Sequence, residues 1–226
     1  MCGRYSISKK AREIGEHFQV IIPEQYQGKH FNAAPTQPLP VICMDKPDAL
    51  QLFNWGLLAQ WANATGNTPL IINARAESLA QKKMFSSLLS KNRCIIPADG
   101  FYEWEKKGKA KQPWRFVLKN EQLFAFAGLF NLITGPDGSQ MPAFTIITTQ
   151  ANEMVKNLHS RMPVILSRQG QHAWLNEPDN EKLNELLQPF PYGEMDTYKV
   201  SPKLNRVAEN SPEIINPWQD PNLTLF

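Results

Sequence analysis

The chain has only three cysteines in 226 residues, and they lie far apart. Cys2, Cys43 and Cys94 form no CxxC pair and no even-numbered framework, which excludes a disulfide scaffold and a paired-cysteine zinc site. HxxxH and HExxH spacings are missing as well, and so is a glycine-rich phosphate loop, so neither metal nor cofactor is expected. No apolar run approaches the roughly 18 residues of a membrane span. The first residues lack the basic stretch and apolar block of a secretion signal. Charge of one sign is not in excess either. A net +3 suits nucleic acid only if the positive residues gather on one face. The expectation is a cytoplasmic, nucleoid-facing protein in a reducing compartment, where a free thiol survives.

A hydrophobic share of 42% is enough for an ordinary globular core. The 18 prolines are dispersed and punctuate short apolar runs, which favours a loop-rich fold over a helical bundle. Strands are expected at 39–44, 49–55, 94–96, 114–118, 123–129 and 143–148, with turns at 106–108 and 135–138. Helices are expected at 9–18, capped by Ser8, and at 76–89, 152–158, 168–175 and 180–187. The pattern reads as α+β: one domain over 1–226, with a mostly antiparallel, curled, barrel-like sheet and short flanking helices.

Four short segments carry chemistry. The chain opens Met1-Cys2-Gly3-Arg4, and removal of Met1 would leave Cys2 with a free α-amine two carbons from its thiol. With ordinary pKa values of about 8.0 and 8.5, both groups have a reactive fraction near neutrality. That pair suits an aldehyde: the amine condenses to an imine, then the thiol closes a thiazolidine ring. Asn73 and Arg75, two residues apart after an apolar run, share a face if extended, giving an amide donor beside a phosphate clamp. Glu103 stands between Tyr102 and Trp104, whose rings would desolvate it and raise its pKa. His159 and Arg161 place an imidazole and a cation together before a strand, suited to protonating a sugar ring oxygen and holding a phosphate. His17, His30 and His172 have no such company, and Cys43 and Cys94 read as core.

Together these segments resemble the SOS-response-associated peptidase family, the SRAP domain. Its blocks stand here as Cys2-Gly3-Arg4, Asn73-Ala74-Arg75-Ala76-Glu77, Gly100-Phe101-Tyr102-Glu103-Trp104 and His159-Ser160-Arg161-Met162-Pro163, in the family's order. Softer matches run from Phe31 to Thr36 and from Trp55 to Leu57, followed by Trp61. The resemblance implies a protein that recognises abasic sites in single-stranded DNA or at single-strand/double-strand junctions and links to them through the N-terminal cysteine. It implies Cys2 as nucleophile, Asn73 as orienting amide, Glu103 as proton carrier and His159 as helper in ring opening. It also implies Arg4, Arg75 and Arg161 as phosphate clamps, Thr148 near the sugar-phosphate, and Trp61 stacking on bases. A monomer with no membrane partner is expected. Ala59 stands where the family commonly has proline, in the loop leading to Trp61. Two other classes compete: N-terminal-cysteine glutamine amidotransferases, which also begin Met-Cys-Gly, and a reader that binds modified DNA without bonding to it.

Overall fold

The computed structural model describes residues 2–58, 70–108, 110–119, 122–134 and 140–219. Strand β1 (Tyr5–Ile7) leads into helix α1 (Ala11–Phe18), then β2 (His30–Ala33), β3 (Pro38–Cys43), β4 (Lys46–Trp55) and β5 (Leu57–Leu58). Next come β6 (Leu70–Ile71), β7 (Asn73–Arg75), a 3-10 turn at Ala76–Ser78, α2 (Lys83–Lys91), β8 (Arg93–Ala98) and β9 (Gly100–Lys107). The chain continues through β10 (Ala110–Leu118), β11 (Phe124–Thr134), β12 (Gln140–Gln150), β13 (Arg161–Pro163) and β14 (Ile165–Leu166). It ends with α3 (Arg168–Asn176), α4 (Asn180–Glu185) and β15 (Met195–Lys199), followed by further 3-10 turns.

Pairing runs β12–β4–β3–β8–β11 and back to β12, closing a ring of five strands. A second sheet, in the order β15-β10-β9-β1-β2, packs on it. Aromatic residues fill the space between. Tyr5 meets Trp55 and Phe126 edge-on at 5.3 and 5.7 Å, and Phe101 stacks on Phe116 at 4.9 Å. Each such ring, taken out of water, stabilises the fold by about 1.5–3 kcal/mol. Between the named strands pairing is antiparallel except where β12 runs parallel to β4 and β7, and an isolated bridge from Ile21 to Ala49 of β4 is also parallel. The fold is therefore the expected α+β, barrel-like and mostly antiparallel. Cys43 and Cys94 are fully buried register partners on β3 and β8, both unbridged. No helix among the described residues is long and apolar enough to cross a membrane.

All six expected strands are present, and β1, β2, β5, β6, β7, β9, β13, β14 and β15 are additional to them. Three helix expectations need correction. Ser8 does not cap α1: its N–H and Oγ both donate to Asp99 Oδ2, at 2.5 and 2.7 Å, while Lys10 takes the cap position and donates its N–H to Glu13. The stretch expected as one helix over 76–89 breaks into a 3-10 turn and α2. Leu79 and Leu88 are both buried in one cluster, yet nine steps of about 100° would put them on opposite sides of a continuous helix. At 152–158 the chain forms turns: Asn152 Oδ1 accepts from the N–H groups of Met154 and Val155 as a helix cap would, but the backbone bonds that follow mix i to i+4 (Lys156 to Asn152, His159 to Val155) with i to i+3 (Leu158 to Val155) and build no continuous helix. The turn expected at 135–138 lies outside the described residues.

Asp99 and Arg115 form a buried ion pair at 2.9 Å, with side chains only 2% and 4% exposed. Ser6 Oγ donates to Asp99 Oδ1 at 2.6 Å, and Arg115 Nη1 donates to the Tyr198 hydroxyl at 2.7 Å. A Cβ on Gly100 would come within 2.7 Å of Arg115 Nε, so the glycine serves the passage of a cation from the neighbouring strand. Asp99→Ala leaves Arg115 charged and buried without its counter-ion. The expected cost is about 3–5 kcal/mol in urea unfolding; a loss below 1 kcal/mol would show that the pair does not hold the sheet together.

A candidate site at the amino-terminal cysteine

Strand β1 lies antiparallel to β9, with Tyr5 opposite Phe101, and Tyr102 N–H donates to Arg4 O at 3.1 Å. Continuing that register brings the start of the chain beside Glu103. Cys2 is fully buried there. Burial, with a further push from the Glu103 charge, drives its thiol far above the ordinary range, so the sulfur stays protonated. Asn73 reaches the same point from β7, donating Nδ2 to Cys2 O at 2.9 Å. Its Oδ1 is buried without a hydrogen-bond partner among the described residues. Ala74 turns into the core while Asn73 and Arg75 take the other face, as expected for an extended segment.

Glu103 is 5% exposed. Burial raises its pKa to about 7, against the lowering effect of the positive amino terminus. A carboxyl poised there both takes and gives protons near neutrality. Burial lowers the His159 pKa, and the positive charges of the amino terminus and Arg161 lower it further, so the ring is neutral at pH 7. Arg161 N–H lies 3.0 Å from His159 Nδ1 and Arg161 O lies 3.2 Å from the same nitrogen, so the backbone there can serve either tautomer of the neutral ring. Cys2, Glu103 and His159 thus all respond to the charge at the start of the chain.

The cations fall into different settings. Arg75 is exposed on β7. Arg161 forks onto Glu77 at 3.2 and 3.0 Å and donates to Thr148 O and Oγ1 at 2.5 and 3.2 Å. Thr148 is buried and also donates to Ala74 O at 3.3 Å, tying β12 to β7. Arg4 Nη1 is bound to Asn32 Oδ1 and Leu204 O at 2.7 and 3.0 Å, and its guanidinium lies over Trp104. The structure therefore brings Cys2, Asn73 and Glu103 together, places Arg75, Thr148 and Arg161 on the adjoining strands β7, β12 and β13, and sets His159 just before β13. It commits one end of Arg4 to the scaffold. Trp61 and Ala59 lie outside the described residues. Sequence reasoning gave no role to Ser6, Arg115 or Glu77; a charged Arg115 inside the apolar run Trp114–Leu118 is the signal that marks a buried pair.

Fold and site define a barrel-like α+β protein that folds the start of its own chain into a desolvated centre of thiol, amide, carboxyl and imidazole. The sequence model of one family, described as SOS response associated peptidase (SRAP), matches residues 1–207, and the chain belongs to that family. It is 41% identical over 221 residues to the abasic site processing protein YoqW of Bacillus subtilis (strain 168), covering 95% of this chain and 99% of that one. Abasic site processing protein YedK of Escherichia coli (strain K12) is 27% identical over 226 residues, covering 96% and 100%. A crystal structure of a protein from Bacteroides thetaiotaomicron superposes with a TM-score of 0.85 at 28% identity, covering 96% of this chain and 100% of that one.

The raised Glu103 pKa sets a sign for stability. Between the unfolded value near 4.5 and about 7, the folded protein binds more protons than the unfolded chain. Stability contributed by this group therefore falls as pH rises through that window. Glu103→Gln is expected to flatten the decline in urea midpoints measured from pH 4.5 to 7.5; an unchanged slope would mean that Glu103 ionises normally.

Proposed function

We propose that this protein captures abasic sites in single-stranded DNA, including those at junctions with duplex, by forming a thiazolidine between Cys2 and the lesion's aldehyde. One observation carries the reading: Asn73 grips the Cys2 carbonyl at 2.9 Å beside a carboxyl whose pKa is about 7. The relatives named abasic site processing proteins support the same substrate.

Removal of Met1 frees the Cys2 amine. A buried, protonated thiol is a poor first nucleophile, so the amine attacks the aldehyde first. Glu103 takes a proton from the attacking nitrogen and returns one to the departing hydroxyl, so water leaves and an imine forms. The thiol then adds to the imine carbon, and its proton ends on the ring nitrogen. Every atom balances without an added oxidant or reductant. Asn73 fixes the Cys2 backbone during both steps. His159, a neutral ring, acts at the sugar ring oxygen to release the aldehyde from the closed form.

Phosphates on either side meet Arg75 and the one Nη1–H of Arg161 that its fork onto Glu77 and Thr148 does not use. Arg4 adds its other N–H groups, because Nη1 already serves Asn32 and Leu204. Trp61 stacks on bases, worth about 1–3 kcal/mol in single-strand binders. The protein works as a monomer, and self-removal of Met1 would fit the peptidase label of the family.

Intact-mass measurement with an abasic oligonucleotide tests both halves: Met1 is expected to be absent, and the protein mass to rise by the oligonucleotide less one water. An assembly that falls apart in hot detergent would instead mark a non-covalent reader. Cys2→Ser is expected to give only an imine, retained after borohydride reduction; a durable adduct without reduction removes the sulfur ring from the mechanism. Arg75→Ala is expected to weaken DNA binding whatever the base sequence and to lower the slope of log K against log salt by about 0.7. An unaltered slope would confine Arg75 to the scaffold.

A further inference from the structure

Glu77 ends the block that starts at Asn73, yet it does not touch Cys2, and its acidity is wrong for a phosphate clamp. Its carboxylate forks onto Arg161, Oε1 to Nη1 at 3.2 Å and Oε2 to Nη2 at 3.0 Å. Burial acts to raise its pKa, but the bonds and charge of Arg161 and the charge of Arg75 outweigh it and hold the group below its ordinary value, so it stays ionised. Arg161 is 13% exposed in its side chain, and its donors on the other side are spent on Thr148. The same residue's backbone N–H donates to His159 Nδ1, while its carbonyl lies 3.2 Å from that nitrogen. Either bond suits the ring: the N–H supports a bare Nδ1, and the carbonyl a protonated one. Which one forms depends on how firmly the Arg161 peptide is held.

We propose that Glu77 is a positioning residue for His159, acting through Arg161: its bidentate grip fixes the 159–161 turn so that the resting imidazole carries its proton on Nε2. Glu77 belongs to the 3-10 turn that follows β7, and Arg161 opens β13. The fork thereby fastens the segment bearing Asn73 to the segment bearing His159. Between Arg75 and Arg161, the carboxylate also offsets the repulsion of two like charges held near each other. A fork of this kind is charge-assisted and directional, unlike a lone lysine contact.

The test needs no DNA for its main readout, so it stands apart from the proposed function on which the catalytic part rests. In 15N spectra of the free protein at pH 7.5, His159 is expected to show one tautomer, with the proton on Nε2. Glu77→Gln replaces one oxygen with an NH2 that cannot accept from Arg161; it is expected to yield a mixture of tautomers, and Glu77→Asp to recover part of the original pattern. Glu77 is half exposed, so the glutamine variant is expected to fold, checked by its thermal midpoint. With an abasic oligonucleotide at saturation, the glutamine variant is expected to crosslink about tenfold more slowly, with little change in the concentration that gives half-saturation. An unchanged His159 spectrum in Glu77→Gln would overturn the proposal. A normal crosslinking rate at saturation with weakened half-saturation would also overturn it, by placing Glu77 in DNA binding. If the unmodified protein forms no adduct, the proposed function falls, while the spectra still decide the role of Glu77.

Discussion

The buried pair of Asp99 and Arg115 is the constraint on which the site depends. An unpaired charge in this position would be costly, and the fold answers it by pairing the two groups and bonding both carboxylate oxygens, while Arg115 Nε is left without a hydrogen-bond partner among the described residues. Asp99 accepts from Ser6 Oγ, from the N–H and Oγ of Ser8, and from Arg115. Arg115 reaches on to Tyr198, whose hydroxyl donates to Ile215 O at 3.1 Å. Three of these four bonds fall on β1 or the residue just beyond it, which makes the first strand part of a rigid network. Chain ends ordinarily fray. Here Cys2 sits four residues from a buried anchor at Ser6, and at about 3.3 Å per residue it can be placed by a short extended segment. Gly100 belongs to the same device, since a side chain there would displace Arg115.

Once the chain end is pinned, burial sets the electrical state of the centre. Desolvation disfavours the charged form of every ionisable group. It keeps the Cys2 thiol protonated, brings Glu103 to about 7 and leaves His159 neutral. The resting centre therefore holds little charge, apart from the amino terminus that all three groups sense. Arg75 and Arg161 stand outside it on β7 and β13. A neutral interior with cations at its rim explains how a chain with a net charge of only +3 can be suited to a polyanion. It also makes Glu103 the group best matched to proton transfer, because its two forms are close in energy near neutral pH.

Much of this was legible in the sequence, for reasons that were sometimes incomplete. The aromatic company of Glu103 pointed to a raised pKa, and the direction holds. Yet Tyr102 and Trp104 pack with Val200, Leu204 and Ile214 on the opposite face, while Glu103 shares its face with Phe101 and the main core. Cross-strand alternation, not sequence adjacency, supplies the desolvation. Arg4 and Arg161 were readable as cations but not as partners of Asn32 and Glu77, because those contacts span 28 and 84 residues. The helix expected over 76–89 failed on a similar point. Local propensity favours continuity, but the break is what admits both Leu79 and Leu88 to one cluster. Strand β9 escaped notice because its charged and aromatic residues follow neither a clean alternation nor an apolar run.

Strand β12 then acts as the ruler for the outer half of the site. On one side it pairs in parallel with β7, setting Ile146 against Asn73 and Thr148 against Arg75. On the other it pairs antiparallel with β13, setting Gln150 against Arg161. Asn73, the exposed Arg75 and Arg161 beside His159 are thus spaced by the hydrogen-bond ladder of a single strand. A slip of one residue in either pairing would turn the affected side chains to the other face. Ala74 and Ile147, buried side by side on that other face, oppose such a slip, because it would carry them toward solvent and draw Asn73 and Arg75 into the core. The apolar residues between the functional ones therefore fix the register that makes the site possible.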